Sequence, residues 1–110
     1  MKKYYVYPAI FDDSENEPGT YTVTFPDVPG AITDGVGISE AIIRAEECLE
    51  GFLITFGGEY KDSSLYEVQQ NNPGKIVNYV VADMLRAKKY IKDKMINKNV
   101  RIPARLAEKR

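Results

Sequence analysis

The stretch YTVTFPDVPGAITDGVGISEA, residues 21–41, decides the fold because it holds a strand, a sharp turn and the start of a helix. Apolar residues alternate with threonines up to Phe25, which is typical of a strand with one buried face. Pro26 and Pro29 cannot continue a hydrogen-bonded ladder, and Gly30 permits a turn that other residues resist. Ser39 suits the N-cap of the helix that follows. The stretch predicts a rigid strand–turn–helix corner, which is compatible with a catalytic loop or with a recognition edge.

Three further strands are predicted around this corner. Residues 4–11 are rich in aromatic and branched side chains, and Pro8 among them favours a sheet edge or a bulge. A polar loop joins this strand to residues 20–25, so that the two form an antiparallel hairpin. Residues 31–34 fit a short third strand. Residues 75–82 are almost continuously apolar, which predicts a central strand buried on both faces.

Two helices complete the predicted architecture. The main helix spans about residues 39–56, and a basic amphipathic helix spans about residues 84–95. The predicted core-facing stripe of the main helix consists of Ile38, Ile42, Ala45, Leu49, Phe52 and Phe56. The elements predict an α+β fold in the order β-β-β-α-β with a C-terminal helix, in which the main helix covers one face of a mostly antiparallel sheet.

Composition excludes several kinds of chemistry. The chain has no histidine, so Ser-His-Asp, Cys-His and histidine–zinc sites are excluded. Cys48 is the single cysteine, which fits a reducing cytosol, and we expect a cytoplasmic protein. No apolar run is long enough to span a bilayer, and no signal-peptide pattern opens the chain. The glycines at 35 and 37 lack the lysine of a phosphate loop, and Glu40 replaces the third glycine of a dinucleotide motif, so we expect no cofactor.

The charge of the chain is split along its length. Residues 1–70 hold four basic residues against thirteen acidic ones, a balance of −9, whereas residues 71–110 hold eleven against three, a balance of +8. An acidic body attracts a basic partner, and a basic tail attracts a polyanion such as DNA. A solvated charged helix explains the tail equally well.

Carboxylates near strand ends leave a second hypothesis open. Asp12, Asp13, Asp27 and Asp34 all lie in or near predicted turns, and metal-dependent nucleases hold their cations with converging carboxylates. Aspartate is also favoured in turns for backbone reasons. The turn explanation is the better supported of the two.

The C-terminal tail carries a possible DNA-reading strand. In Asn99-Val100-Arg101-Ile102, polar donors alternate with apolar residues. Two such strands from two chains can enter the major groove, where asparagine and arginine read bases. Candidate DNA contacts are therefore Asn97, Asn99 and Arg101, and the alternative is a frayed basic terminus.

The fragments YPAIF, YTVTFPDVPGAITDG and ISEAIIRAEECLEGFL, in this order over residues 4–56, resemble the HicB-like antitoxins of bacterial toxin–antitoxin pairs. The resemblance implies a partial ribonuclease-H-like domain over residues 1–83, followed by a basic helix and tail over residues 84–110. The segment KNVRIPARLAEK is similar to the start of a ribbon–helix–helix domain, whose remaining helices the sequence lacks. Candidate family-motif and interface residues are Tyr7, Pro8, Phe25, Pro26, Asp27, Pro29 and Gly30.

The resemblance also implies what the protein does. It implies a non-enzymatic antitoxin that binds a small basic HicA-type toxin, an RNA-cleaving protein, and occludes its active site. Operon repression through the tail and assembly into a homodimer or higher homo-oligomer are further expectations, without a membrane. We expect the acids of the main helix, Glu46, Glu47 and Glu50, to face the toxin. A metal-dependent nuclease on the same scaffold and a plain dimeric scaffold protein are the alternatives.

Overall fold

The fold is built from four strands and two complete helices, and the computed structural model describes residues 3–57 and 59–89. In chain order the elements are β1 (Tyr4–Asp12), β2 (Thr20–Thr24), β3 (Ile32–Val36), α1 (Ile38–Phe56), α2 (Leu65–Asn71) and β4 (Ile76–Asp83). Residues 84–89 begin a further helix. These elements confirm the predicted α+β fold and its β-β-β-α-β order, and the short helix α2 is added between α1 and β4.

The four strands form one antiparallel sheet in the order β3-β2-β1-β4. Side chains of alternate residues lie on opposite faces of a sheet. One face of β1 and β2 carries the buried residues Ala9, Phe11 and Val23, and these pack in one core with Leu49 and Leu53 of α1. The main helix therefore covers one face of the sheet, as predicted.

Pro8 lies in β1, which has a neighbouring strand on each side. The Lys3 carbonyl accepts a hydrogen bond from the Met84 amide at 2.9 Å, and hydrogen-bonded pairs alternate along an antiparallel ladder. Pro8, opposite Tyr79, therefore occupies a non-hydrogen-bonded position on the β4 side. On its other side β2 pairs only with residues 10–12. The sheet therefore loses no hydrogen bond because Pro8 lacks an amide hydrogen. The predicted sheet edge at Pro8 is right only for the side of β1 that faces β2, and only before residue 10.

The prediction that residues 75–82 form a central strand buried on both faces is wrong. Within the described part of the chain, β4 lies at one end of the sheet and pairs only with β1. Its core-facing residues Val80 and Ala82 are buried, whereas Tyr79 and Val81 on the other face are 44% and 42% exposed. An apolar run is typical of a central strand, but here half of the run lies on a face that only α2 partly covers.

The helix α1 approaches β3 closely because both elements carry small residues at the contact. A Cβ atom added to Gly35 would lie 2.7 Å from the backbone of Ala41. The buried residues of α1 include Ala41, Ala45, Leu49 and Leu53. The predicted stripe is therefore right for Ala45 and Leu49 and wrong for three of its larger members, Ile38, Ile42 and Phe56, which are exposed. Because α1 and β3 are packed closely, only small side chains fit where the two elements meet, and Ile38 and Ile42 lie outside this contact.

The start of α1 also differs from the prediction. Gly37, rather than Ser39, occupies the N-cap; it has no side chain to cap the helix, and its carbonyl accepts the Ala41 amide at 3.0 Å. The Glu40 carboxylate in the first turn instead accepts the Val36 amide at 3.1 Å. A carboxylate is favourable at this end of a helix because of the helix dipole.

Replacement of Gly35 with alanine tests the close contact between α1 and β3, which is called here the close seat of α1. Because the added methyl group would meet the Ala41 backbone, we expect Gly35→Ala to lower the free energy of unfolding by about 1–3 kcal/mol. Gly51→Ala is the matched control, since nothing lies within 4 Å of its added Cβ in α1, and we expect a gain of about 0.5–1 kcal/mol. Urea unfolding measures both, and equal effects of the two substitutions would contradict the close seat.

Candidate binding surface

The Pro-Asp-Val-Pro-Gly corner is held by a buried carboxylate. Asp27 is buried, and its two oxygens accept hydrogen bonds from the Ser63 amide at 2.8 Å and from the Ser63 hydroxyl at 3.0 Å. Phe25 and Val28 on either side of Asp27 are buried in the core. Asp27 therefore has a structural role, because its hydrogen bonds hold the corner against the segment that precedes α2.

The exposed part of this corner consists of Pro26, Pro29 and Gly30. Gly30 has a φ of 102°, and a Cβ atom there would lie 3.1 Å from the ring of Phe52. The positive φ therefore favours glycine, and a Cβ atom there would also crowd the Phe52 ring. These three residues form a rigid surface beside the half-buried Phe52 ring.

Tyr7 and Pro8 lie inside the molecule. The Tyr7 ring meets the Tyr60 ring edge-to-face, with 6.2 Å between the ring centroids. Burial raises the pKa of the Tyr7 phenol. Because Phe25 and Asp27 are also buried, four of the seven motif candidates support the fold, and the three exposed ones remain candidate contacts.

The three acids of α1 face different surroundings. Glu47 is exposed and Glu46 is half-buried, whereas Glu50 is only 6% exposed. The Glu50 carboxylate accepts hydrogen bonds from the Arg86 guanidinium and from the Asp83 amide. Glu50 is therefore an internal ion-pair residue, and the expectation that it faces a partner is wrong for the structure described.

Arg86 is the residue that the sequence analysis missed. Its guanidinium contacts both Glu50 and Glu46, the latter at 3.7 Å, and the Glu50 hydrogen bond raises the pKa of Arg86 above its usual value. Met84 and Ala87 beside it are buried in the core. The start of the C-terminal helix is therefore tied to α1. The signal that the sequence offers is an acid, Glu50, placed three residues before the apolar Leu53.

The carboxylates of the nuclease hypothesis are held apart. Asp12 and Asp34 both lie opposite Thr22, on the strands to either side of it, so their Cα atoms are about 10 Å apart. Hydrogen bonds from Ser14 lower the pKa of Asp12, which also pairs with Lys75 at 3.2 Å. Two-metal sites hold their cations about 4 Å apart. In residues 3–57 and 59–89, no group of three or more candidate metal ligands comes together.

Cys48 is half-buried on α1. Its thiol lies 3.5 Å from the Ile32 carbonyl as a hydrogen-bond donor, and burial raises the pKa of the thiol. A thiol with a raised pKa is a poor nucleophile, because the thiolate is the reactive form. The geometry therefore favours a structural thiol over a reactive one.

The candidate DNA contacts Asn97, Asn99 and Arg101 lie outside the described residues. In the part of the chain that is described, none of the helices is long and apolar enough to cross a membrane.

Taken together, the described surface combines a rigid corner with an acid-bearing helix, and its acids serve as surface charges or internal pairs. The described residues thus form a small α+β domain whose candidate residues either support the fold or lie at its surface. Residues 7–109 match the family described as the HicB-like antitoxin of bacterial toxin–antitoxin systems. The chain belongs to this HicB-like antitoxin family.

Solved structures share the fold, and two of them are HicB antitoxins. A chain of a toxin–antitoxin complex from Streptococcus pneumoniae is 24% identical, with a TM-score of 0.56 over 79% of this chain and 72% of that chain. The N-terminal domain of the antitoxin HicB from Burkholderia pseudomallei is 27% identical, with a TM-score of 0.54 over 69% of this chain and 95% of that one. The structure of the Burkholderia pseudomallei antitoxin HicB is 26% identical, with a TM-score of 0.56 over 69% and 61%. A comparison with curated proteins gave no match.

Removal of Arg86 tests the internal ion pair. Arg86→Met keeps the aliphatic stem but leaves the buried Glu50 carboxylate without its cation, so we expect a loss of about 1–3 kcal/mol in the free energy of unfolding. Arg44→Met is the matched control, because the Arg44–Glu40 pair is exposed on both sides and such pairs contribute at most about 1 kcal/mol. Equal small losses in urea unfolding would show that Glu50 does not need Arg86.

A double-mutant cycle tests the corner. Asp27→Ala, Ser63→Ala and the double variant should give a coupling of about 0.5–3 kcal/mol, because both hydrogen bonds join the same two residues. The backbone amide bond survives in Ser63→Ala, so Asp27→Ala should be the costlier single substitution. Additive losses in thermal or urea unfolding would mean that the two residues act separately.

Proposed function

We propose that this chain binds and neutralises a small basic HicA-type toxin that cleaves mRNA, and that it does so by covering the active site of the toxin. The family match over residues 7–109 carries this proposal. The toxin–antitoxin complex from Streptococcus pneumoniae supports the same fold. We infer that the chain has no catalytic activity of its own.

The charge distribution supports a basic partner. Most acids of the body lie at the surface, and the exposed ones are Glu15, Glu17, Asp34, Glu40, Glu47, Glu59, Asp62 and Glu67. Only Asp27 and Glu50 are buried. Complementary charge steers two proteins together and raises their association rate more than their final affinity.

The outer face of α1 is the part of this surface that we assign to the toxin. Ile43, Glu47 and Gly51 follow each other at intervals of one helical turn on that face. Ile43 and Glu47 are exposed, and Gly51 offers no side chain that would keep a partner away. One line along α1 thus offers an apolar side chain at Ile43, a negative charge at Glu47 and room for a partner to approach the backbone at Gly51.

Operon repression is a second proposed role. The basic tail with Asn97, Asn99 and Arg101 would contact operator DNA, and a homo-oligomer would present two such tails to the two halves of an operator. The ribonuclease-H-like character of the domain, the division at residue 83 and a cytoplasmic location stay predictions with this role.

Co-expression tests the main role. The product of the adjacent reading frame should stop growth when expressed alone, and this chain should restore growth and co-purify with it. Growth arrest that persists, together with absence of a complex, would contradict the proposal.

Charge reversal tests the assigned face. At low salt, Glu47→Lys should slow association with the toxin by about threefold to tenfold, and the effect should shrink as salt rises. Glu15→Lys is the matched control, because it makes the same charge change in the loop after β1. Stopped-flow or biolayer measurements give both rates. Equal slowing by the two variants would point to net charge alone, and no slowing by Glu47→Lys would remove α1 from the interface.

A further inference from the structure

The two outer strands of the sheet have differently protected edges. On β3, the Gly37 amide donates to the Gly19 carbonyl at 2.7 Å, and the alternation of pairs then turns the backbone groups of Ile32, Asp34 and Val36 away from β2. Side chains of α1 occupy two of these outward groups. The Cys48 thiol donates to the Ile32 carbonyl, and the Glu40 carboxylate accepts the Val36 amide. These two contacts hinder pairing of β3 with a further strand, and we call the outer edge of β3 the guarded edge.

The outer edge of β4 is less protected. The same alternation, set by the Met84–Lys3 hydrogen bond, turns the backbone groups of Val77, Tyr79, Val81 and Asp83 outward. Glu50 accepts the Asp83 amide, and the Asn78 side chain accepts the Tyr79 amide at 2.8 Å. In the described part of the chain, the outward backbone groups of Val77 and Val81 have no hydrogen-bond partner.

An apolar strip lies beside this open edge. Val6 lies opposite Val81, and Tyr79 lies on the same face of β4, which α1 does not cover. Val6, Tyr79 and Val81 are each more than 40% exposed. A long edge strand with exposed apolar side chains is a typical site of strand pairing.

We propose that this edge pairs with β4 of a second copy of the chain, in an antiparallel arrangement around a twofold axis. Residues 76–82 carry no charge, so the strand fits another uncharged strand better than a strongly charged partner. In an antiparallel ladder the outward groups of both strands must face each other. Only odd-numbered residues can therefore be hydrogen-bonded across the axis.

The register with the largest overlap places Tyr79 opposite Tyr79 of the second copy. Val77 then lies opposite the partner's Val81 on both sides of the axis, so that uncharged side chains meet across the paired strands. Asn78 must release the Tyr79 amide when the strands pair. Each subunit contributes the same edge, as an isologous twofold interface requires. The pairing does not use the outer face of α1, so it is independent of the proposed toxin contact.

Site-specific disulfides in the full chain test the interface and its register. In a Cys48→Ser background, Tyr79→Cys should form a linked dimer under mild oxidation, because Cα atoms of hydrogen-bonded pairs lie about 5.5 Å apart and disulfides accept that distance. Val77→Cys and Val81→Cys should each stay unlinked alone but link to each other when mixed. Val36→Cys on the guarded β3 edge is the control and should stay unlinked. Linkage through Val36→Cys, or none through Tyr79→Cys, would overturn the proposal.

Charge placed on the edge gives an independent measurement. Val81→Lys should weaken self-association at least tenfold in sedimentation velocity, whereas Val36→Lys, at a residue 68% exposed on the other edge, should leave it unchanged. Unchanged association of Val81→Lys would show that the chain dimerises elsewhere. Loss of toxin binding by Val81→Lys with intact self-association would assign the edge to the toxin. Hydrogen-exchange protection of the Val81 amide that does not depend on concentration would show that the chain covers its own edge. Each of these three results would overturn the proposal.

Discussion

The close seat of α1 on β3 is the constraint on which the rest of the structure depends. Gly35 leaves room for the Ala41 backbone, so the helix axis lies nearer to the sheet than larger residues would allow. This distance decides which side of α1 faces inward, with Ala45, Leu49 and Leu53 in the core. The remaining faces of α1 become the surface that a partner can reach.

The same rotation of α1 turns Glu50 into the protein, because Glu50 lies one helical turn before the buried Leu53. A buried carboxylate needs a cation and hydrogen-bond donors. Arg86 and the Asp83 amide supply them, and they tie the end of β4 and the following helix to α1. Glu47, three residues earlier, stays at the surface. The packing of α1 on the sheet thus separates a buried structural acid from an exposed acid on the same helix.

The helix also shapes the sheet edges. Through Glu40 and Cys48, α1 occupies the edge of β3, but it offers no such side chain to Val77 or Val81 of β4 in the described residues. The guarded edge and the open edge therefore follow from the position of the helix over the β3 side of the sheet.

Local patterns in the sequence were sufficient for the strands, the main helix and the corner. Alternation around Val23, the prolines and the glycine-rich turn predicted them correctly, since each of these signals acts within a few residues. The misjudged features depend on distant contacts. The apolar run of β4 does not show that one of its faces is only partly covered. Hydrophobicity alone favours Ile42 over Ala41 as a core residue, because it contains no information on the short distance between α1 and Gly35. The task of Glu50 required knowledge of Arg86, which lies far along the chain.

The buried residues among the motif candidates could not be separated from the exposed ones by sequence alone. The sequence is compatible with Asp27 as a turn residue or as a metal ligand. In the structure both carboxylate oxygens of Asp27 accept hydrogen bonds from Ser63, which gives it a structural role. Pro26 and Pro29 stay at the surface of the same corner.

We propose above all that this domain acts by binding a toxin and has no reaction of its own. Its most direct test is cleavage of a defined RNA by the purified protein from the adjacent reading frame, titrated with this chain. The account predicts that cleavage falls linearly to zero at a fixed molar ratio and that the chain alone leaves the RNA intact. Cleavage that continues with an excess of the chain, or RNA degraded by the chain alone, would contradict it.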